Sequence, residues 1–325
     1  MGEHGSDPFS HTPFSLLLNP YSVLVAHDLQ KRFASVHAVR SVSLQAHPGE
    51  IFGLIGPNGA GKSTTIRMLV NIIHPDSGTI TYDGQPFDES VRNSIGYLAE
   101  ERGLYQKSRI GETIIYFASL RGLGRNEAQQ RAVRWLERFG LHGQEGRKIE
   151  ELSKGNQQKV QLIITLIHEP RWLILDEPAS GLDPVNQELL REILEELRAD
   201  GRTILYSTHQ MELAERLCTR IALINRGEVV LAGTVDAVRE AHGGTTVRLE
   251  FEGDGQFLST IPPVRSAHID AHRADLELHE GRTLNDILPH LGTLQLSSIA
   301  RVRPSLNSIF ISTVGGVAEK SRGGA

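Results

Sequence analysis

Short apolar runs alternate with amphipathic segments through the first two thirds of the chain. The run EIFGLIG at 50–56 follows a Pro-Gly turn and predicts a buried strand. The segment GKSTTIRMLVNII at 61–73 predicts a helix that is stopped by Pro75. The runs WLILD at 172–176 and TILYS at 203–207 are typical of parallel strands that are buried on both faces. This alternation predicts an α/β fold with a parallel sheet.

The pattern divides the chain into three parts. Residues 21–243 carry the α/β alternation, and a helical insertion over about 102–155 interrupts it, because strand signals vanish there and helical periodicity replaces them. Residues 244–325 form a small α+β domain and a polar tail, since strand-like segments such as TTVRLEFEG are followed by helical patterns such as LNDILPHLGTL. We expect residues 1–20 to be a flexible tail.

Composition and charge narrow the class of protein. The formal net charge is −5, so there is no broad basic field for nucleic acid. The single cysteine, Cys218, excludes a disulfide within the chain and a cysteine-rich zinc site, and it is expected to be a buried small apolar residue. No apolar run approaches the roughly eighteen residues that a membrane span needs. The N-terminus does not resemble a signal peptide, so we expect a cytoplasmic protein whose membrane partner, if one exists, is another chain.

A glycine-rich segment between the first predicted strand and helix is the strongest chemical signal. It fits the spacing G-x-x-x-x-G-K-[ST], in which main-chain N–H groups wrap phosphates, the lysine reaches the β- and γ-phosphates and the serine hydroxyl binds Mg²⁺. A chance glycine-rich turn would not place a strand before the segment and a helix after it. The predicted ATP-binding residues of this phosphate loop are Gly56, Pro57, Asn58, Gly59, Ala60, Gly61, Lys62, Ser63 and Thr64.

An acidic pair follows the apolar run WLILD. Asp176 lies at the carboxyl end of the predicted strand, where α/β sheets bind ligands, and is a candidate Mg²⁺ ligand. Glu177 is placed to orient or deprotonate the attacking water. The alternative is an acidic pair that only caps the next helix.

A second helix start has the features of an anion site. The segment ELSKGNQQKVQL at 151–162 places a serine and a glycine just before an amphipathic helix, where free N–H groups and the helix dipole favour negative charge. The residues alone predict a second anion-binding helix start, and the alternative is an ordinary helix cap at Ser153.

The order of four motifs resembles the nucleotide-binding subunits of the ATP-binding cassette family. The phosphate loop is followed by ELSKGNQQKVQL, then directly by LILDEPASGLDP, and then by YSTHQ. The resemblance covers about residues 21–243, and the C-terminal domain resembles the accessory domain of a bacterial exporter-type branch. In this family two ATPase domains pack head to tail, which implies that Ser153 and the N–H of Gly155 contact the γ-phosphate of ATP bound to a partner subunit, and Asn156 is a further candidate ATP-binding residue of this segment.

The same resemblance assigns roles to single residues. Phe33 corresponds to the aromatic residue that stacks on adenine, Asp183 to the loop that links the two ATP sites, and His209 to a switch histidine at the γ-phosphate, which adds a second catalytic residue to Glu177. Asp183 also fits a helix N-cap before a proline. Glu100 stands where the family usually has a glutamine that links Mg²⁺ to the helical insertion; a carboxylate can also ligate Mg²⁺, so Glu100 is a candidate ATP-site and metal residue.

The sequence therefore predicts the ATP- and Mg²⁺-dependent ATPase subunit of a bacterial export-type transporter. Lys154 departs from the glycine that is usual at its position, but Ser153 and Gly155 keep the phosphate cradle. The expected partners are a transmembrane permease and a second ATPase subunit, identical or not, at the inner face of the cell membrane; no nucleic acid is expected. The alternatives are a soluble cassette ATPase of DNA repair or translation, and a scaffold that binds ATP without cleaving it.

Overall fold

The structure, a computed structural model, describes residues 24–101, 103–242, 246–311 and 313. The predicted tail at 1–20 and the polar tail after 314 lie outside these residues. The strands are β1 (Leu24–Phe33), β2 (Val36–Ala46), β3 (Ile51–Ile55), β4 (Ser77–Tyr82), β5 (Ile95–Leu98), β6 (Trp172–Asp176), β7 (Thr203–Thr208), β8 (Arg220–Asn225), β9 (Glu228–Thr234), β10 (Thr246–Glu252), β11 (Val264–Asp270), β12 (Arg273–Leu278) and β13 (Gln295–Val302).

The helices connect these strands or follow them. They are α1 (Lys62–Leu69), α2 (Glu89–Asn93), α3 (Ile110–Leu120), α4 (Arg125–Arg138), α5 (Lys154–Leu166), α6 (Pro184–Ala199), α7 (Met211–Leu217), α8 (Val235–Ala241) and α9 (Leu284–Ile287), and residues 306–311 are also helical. Short 3₁₀ turns lie at Ile149–Glu151, Gln256–Thr260 and Leu288–His290. Within the described ranges, no helix is long and apolar enough to cross a membrane.

A nine-stranded sheet organises the larger part of the molecule, in the order β4-β1-β2-β9-β8-β3-β7-β6-β5. The five strands β8, β3, β7, β6 and β5 run parallel, and β3, β6 and β7 are buried along their whole length, as their apolar sequences predict. Because the carboxyl ends of parallel strands meet at one edge, the segments that follow β3, β5, β6 and β7 come together there.

Apolar side chains pack on both faces of this sheet. On β3, Ile51 and Ile55 belong to the cluster that also includes the helical insertion, whereas Phe52 and Leu54 join the cluster under α1. The insertion contains α3 and α4, and α4 ends before Gly140, which has the positive φ of +67° that suits a glycine after a helix. The segment between β5 and α5 thus contains the two helices α3 and α4, and the bounds of the insertion stay a prediction.

Helix α1 ends earlier than the sequence predicts. The expected stop was Pro75, but the last helical residue is Leu69. Asn71 adopts a left-handed conformation with φ of +57°, and the N–H of Ile72 donates to the carbonyl of Arg67 at 2.9 Å. These hydrogen bonds satisfy the last helical carbonyls. Asn71 thus turns the chain out of the helix before Pro75 is reached.

A separate four-stranded antiparallel sheet follows, in the order β11-β12-β10-β13. Strand β10 is an inner strand and buries Val247, Leu249 and Phe251 in a core of its own. The helical segment 306–311 does not join this core: Leu306 and Ile309 are only 2% exposed and pack into the cluster of the large sheet. The predicted boundary near 243 stays a prediction, because residues 243–245 lie outside the described ranges.

Candidate functional site at the edge of the large sheet

The phosphate loop connects β3 to α1 in a backbone conformation that only glycine accommodates at two points. Gly56 has φ of +152°, and a Cβ atom there would lie 2.2 Å from the carbonyl oxygen of Ile224. Gly61 has φ of +107°, and its Cβ would lie 2.6 Å from the carbonyl oxygen of Ala38. Gly61 is the N-cap of α1 and offers no side-chain oxygen, so the first N–H groups of this helix stay free for an anion.

Lys62 lies almost fully buried, with 6% of its side chain exposed. Its Nζ atom donates to the carbonyl oxygen of Gly56 at 2.8 Å and to that of Pro57 at 3.2 Å. The same ammonium group lies 3.7 Å from Oε1 of Glu177. A buried cation needs such partners, and here they hold the ammonium beside the loop whose N–H groups are to receive phosphate.

Three oxygen-bearing side chains converge on the start of α1. The Ser63 hydroxyl donates to Oε2 of Glu100 at 3.3 Å, and Asp176 lies buried at the end of β6 with its Oδ1 accepting from Ser207 at 2.8 Å. Burial raises the pKa of Asp176, and the nearby carboxylates Glu100 and Glu177 act in the same direction, while hydrogen bonds from Ser207 and Ser63 oppose them. A cation at this point would favour the ionised carboxylate and lower the pKa of Asp176.

These residues fit a magnesium ion that shares its coordination with a nucleotide. The donors are a hydroxyl and two carboxylates, the hard oxygen ligands that Mg²⁺ prefers. Within the described part of the chain there is no group of three or more His, Cys, Asp or Glu side chains that could hold a metal by themselves. Mg²⁺ is usually held by one or two carboxylates and by substrate phosphates, and Ser63, Asp176 and Glu100 match that division.

Glu177 lies between the lysine and a histidine. It follows β6 in a left-handed conformation with φ of +50°, which is unusual for a residue other than glycine, and its own N–H donates to the carbonyl of Ser207 at 3.1 Å. His209, which follows β7, places Nδ1 2.9 Å from Oε1 of Glu177. The strained backbone thus turns the carboxylate toward Lys62 on one side and His209 on the other.

A cleft of about 240 Å³ surrounds the phosphate loop. Its lining residues are Val36, His37, Ala38, Asn58, Gly59, Gly61, Lys62, Ser63, Thr64, Glu100 and Glu177. Sequence reasoning missed the three residues at the start of β2, since no local signal shows that this strand approaches the loop. Phe33 pairs with Val36 across the hairpin and is 46% exposed, and Lys31 lies 5.6 Å from its ring centroid. Its adenine-stacking role stays a prediction.

Ser153 caps the second helix start, which is the alternative that the sequence leaves open beside an anion site. Ser153 precedes α5, and its hydroxyl accepts from the N–H of Asn156 at 3.3 Å. Gly155 lies close to the next motif, because a Cβ there would be 3.0 Å from the carbonyl oxygen of Gly181. Ser153, Gly155 and Asn156 are not among the described residues that line the cleft of their own chain. In the described part of the chain, the start of α5 therefore does not line the cleft at the start of α1.

Asp183 caps α6 as the sequence predicts. Its Oδ1 accepts from the backbone N–H of Asn186 at 2.9 Å, and its Oδ2 accepts from the Asn186 side chain at 2.7 Å. These two hydrogen bonds lower the pKa of Asp183, and the nearby cation Lys159 adds to the effect. Pro184 is the first residue of the helix. The role of Asp183 in linking two ATP sites stays a prediction.

Two family models match the chain. The model described as "ABC transporter" matches residues 39–180, and the model described as "ATP-binding protein DrrA1-3-like, C-terminal domain" matches residues 233–314. The first match spans the phosphate loop, the α5 helix start and the Asp176–Glu177 pair. The second covers the small sheet and the helical segment after it.

Similar proteins carry corresponding descriptions. The chain is 38% identical to "Uncharacterized ABC transporter ATP-binding protein YhaQ" of Bacillus subtilis, over 91% of this chain and 100% of that protein. It is 32% identical to "Linearmycin resistance ATP-binding protein LnrL" of Bacillus subtilis, over 90% and 98%. It is 38% identical to "Nod factor export ATP-binding protein I" of Burkholderia pseudomallei, over 68% and 73%.

A solved structure shares the fold of the larger part. The protein described as "Structure of ATP binding subunit of ABC transporter" superposes with a TM-score of 0.63 and 32% identity, over 68% of this chain and 93% of that one. The chain therefore belongs to the ATP-binding proteins of ABC transporters. Membership of this family implies ATP binding and ATPase activity, and the α/β fold with a small C-terminal domain is confirmed.

Proposed function

We propose that this protein hydrolyses ATP to drive export through a separate membrane permease, and that two ATPase subunits close on ATP and reopen after hydrolysis. The observation that carries the proposal is the arrangement of Lys62, Glu177 and His209, in which one carboxylate oxygen lies 3.7 Å from the lysine and 2.9 Å from the histidine. A scaffold that only binds ATP would not need a buried carboxylate between these two groups.

Each residue of the site has a separate task in this proposal. Lys62 and the N–H groups of the phosphate loop bind the β- and γ-phosphates and offset their charge in the ground and transition states. Glu177 orients the attacking water and accepts its proton, and His209 holds the carboxylate and contacts the γ-phosphate. Ser63, Asp176 and Glu100 are the residues that would hold Mg²⁺, and the ion would supply positive charge that offsets the charge of the phosphates.

The second helix start supports a two-subunit site. Ser153 and the N–H groups at the start of α5 favour an anion, yet they do not line the cleft around their own phosphate loop in the described structure. A second subunit, identical to this chain or related to it, would bring its α5 start to that cleft and complete the γ-phosphate contacts. Asp183, which starts the next helix, would lie at the same interface.

The proposal of export through a permease rests on the names of two relatives and on apolar side chains exposed on the insertion. One relative's name refers to Nod factor export and another to linearmycin resistance. The insertion exposes the large apolar side chains Tyr105, Tyr116 and Leu120, which are candidates for contact with a membrane subunit. In this proposal the protein works in the cytoplasm, bound to the inner face of the membrane through that subunit.

The test uses Glu177→Gln, which removes the base and keeps the size of the side chain. ATP should still bind, hydrolysis should fall by a factor on the order of 10² to 10⁴, and the protein should shift from monomer to dimer on gel filtration when ATP and Mg²⁺ are added. Adding Ser153→Arg should abolish this dimer while ATP binding to the monomer persists, because the arginine crowds the γ-phosphate only from the partner subunit.

The matched control is Thr234→Arg in the same Glu177→Gln background. Thr234 also caps a helix, accepting from the N–H of Ala237 at 3.1 Å, but it precedes α8 and lies outside the proposed interface. This variant should still dimerise with ATP. If the Ser153→Arg double variant also dimerises, or if it loses ATP binding as a monomer, α5 does not act on the nucleotide of a partner.

A further inference from the structure

The chain segment after β13 returns to the large sheet and packs on it. Residues 306–311 are helical, and Ser305 caps this helix, with its hydroxyl accepting from the N–H of Ser308 at 3.1 Å. Leu306 and Ile309, three positions apart, lie on one face and are buried in the cluster that also contains residues of α5, α6 and α7. The C-terminal region is therefore anchored to the core of the ATPase part.

Polar contacts fix this anchor to α7. Oε1 of Glu215 accepts from the backbone N–H of Leu306 at 3.3 Å and lies 3.3 Å from Nη1 of Arg239 in α8. Arg239 in turn donates through Nε to the carbonyl of Pro304 at 3.1 Å and through Nη2 to that of Arg303 at 3.4 Å. The Glu215 carboxylate thus meets a free N–H at the start of a helix, where a negative charge is favoured.

Helix α7 begins two residues after His209, the histidine that contacts Glu177. Strand β7 ends at Thr208, His209 follows, and α7 begins at Met211, so only His209 and the N-cap Gln210 separate strand from helix. The Gln210 N–H donates to the Thr208 hydroxyl at 3.0 Å, which makes this link short and constrained. Any rotation or shift of α7 must therefore move the His209 backbone and, with it, the contact to Glu177.

We propose that Glu215, Arg239 and the segment 303–309 form a latch through which the C-terminal region holds α7 and so sets the position of His209 against Glu177. Glu215 is a positioning residue: it does not touch the reacting atoms and acts through α7. The latch gives the C-terminal region a role in the ATPase reaction. A partner that binds the small sheet and shifts the latch would change the position of His209. Its effect on turnover rests on the ATPase function proposed above, whereas its structural part does not.

The test compares Glu215→Ala with a control on the same helix. Glu212 is exposed and lies nearer to His209, and its side chain makes no ion pair or hydrogen bond among the described residues, so Glu212→Ala should keep the kcat of the wild type. Glu215→Ala should lower kcat on the order of tenfold and leave the KM for ATP within about twofold, because the phosphate loop is untouched. Glu215→Gln keeps an acceptor for the Leu306 N–H and should fall between the two.

Amide hydrogen exchange on the full-length protein without nucleotide supplies a readout that does not need ATPase activity. In Glu215→Ala, peptides that span residues 203–217 and 303–311 should exchange faster, while the peptide that spans 172–182 should be unchanged. If exchange near His209 matches the wild type, or if only thermal stability falls while kcat is kept, there is no latch. If the wild type lacks ATPase activity but the exchange pattern changes as described, the latch stands and the proposed function fails.

Discussion

A partly buried histidine should make the stability of this protein fall in mild acid. His168 follows α5, and its Nε2 lies 3.1 Å from the carbonyl oxygen of Ile95, to which it must donate. Its Nδ1 is buried and has no hydrogen-bond partner among the residues that the structure describes. Burial lowers the pKa of His168 from 6.5 to about 4; the hydrogen bond to Ile95 opposes this effect, and three cations, Arg121, Arg131 and Arg202, add to it. The perturbation that removes this titration is His168→Gln, which keeps a side-chain amide donor for the Ile95 carbonyl.

The direction and size of the change in the free energy of unfolding follow from the difference between the pKa of His168 in the unfolded chain and in the folded chain. The unfolded chain takes up a proton near pH 6.5, whereas the folded chain resists protonation until about pH 4. Protons therefore favour unfolding between these values, and the contribution of His168 is fully present above pH 6.5 and lost as the pH falls toward 4. The pKa difference of about 2.5 corresponds to about 3 kcal/mol in full, of which about 2 kcal/mol is lost by pH 5.

Urea unfolding followed by tryptophan fluorescence at several pH values between 8 and 5 measures this contribution. The free energy of unfolding of the wild type should fall more steeply with acid than that of His168→Gln, and the two curves should diverge by about 2 kcal/mol at pH 5. His142, which is exposed on a loop of the insertion, gives the control His142→Gln, and this variant should follow the wild type. Parallel curves for wild type and His168→Gln would refute the argument.

Three further predictions concern the ATP site. Lys62→Ala should abolish hydrolysis and weaken ATP binding, since the ammonium offsets phosphate charge before and during the reaction; near-normal turnover of the purified variant would contradict the assignment. Glu100→Gln should keep Mg²⁺-dependent activity, because an amide oxygen can also ligate the metal and Asp176 remains; total loss in a steady-state assay would show another role for this carboxylate. Lys154→Gly should change kcat by less than about tenfold, or 1.4 kcal/mol, because the main-chain donors of α5 persist, and inactivity would count against that cradle.

The sequence alone determined those features that short segments encode. The apolar runs of β3, β6 and β7 predicted buried parallel strands. The cap at Asp183 formed as expected, and Ser153 forms the cap that was the alternative to an anion site, because each cap bonds a residue three positions along the chain. The end of α1 is also encoded locally, since Asn71 can adopt a left-handed conformation and precedes Pro75 in the chain.

The tertiary structure decided which distant residues meet. The contacts of Glu177 with Lys62 and His209 depend on β3, β7 and β6 being neighbours in that order, although they are far apart in the chain. The approach of residues 36–38 to the phosphate loop and the packing of residues 306–309 on α7 depend likewise on strand order and on shared burial. A local pattern fixes backbone conformation and the buried face of an element, but it does not encode which other element covers that face.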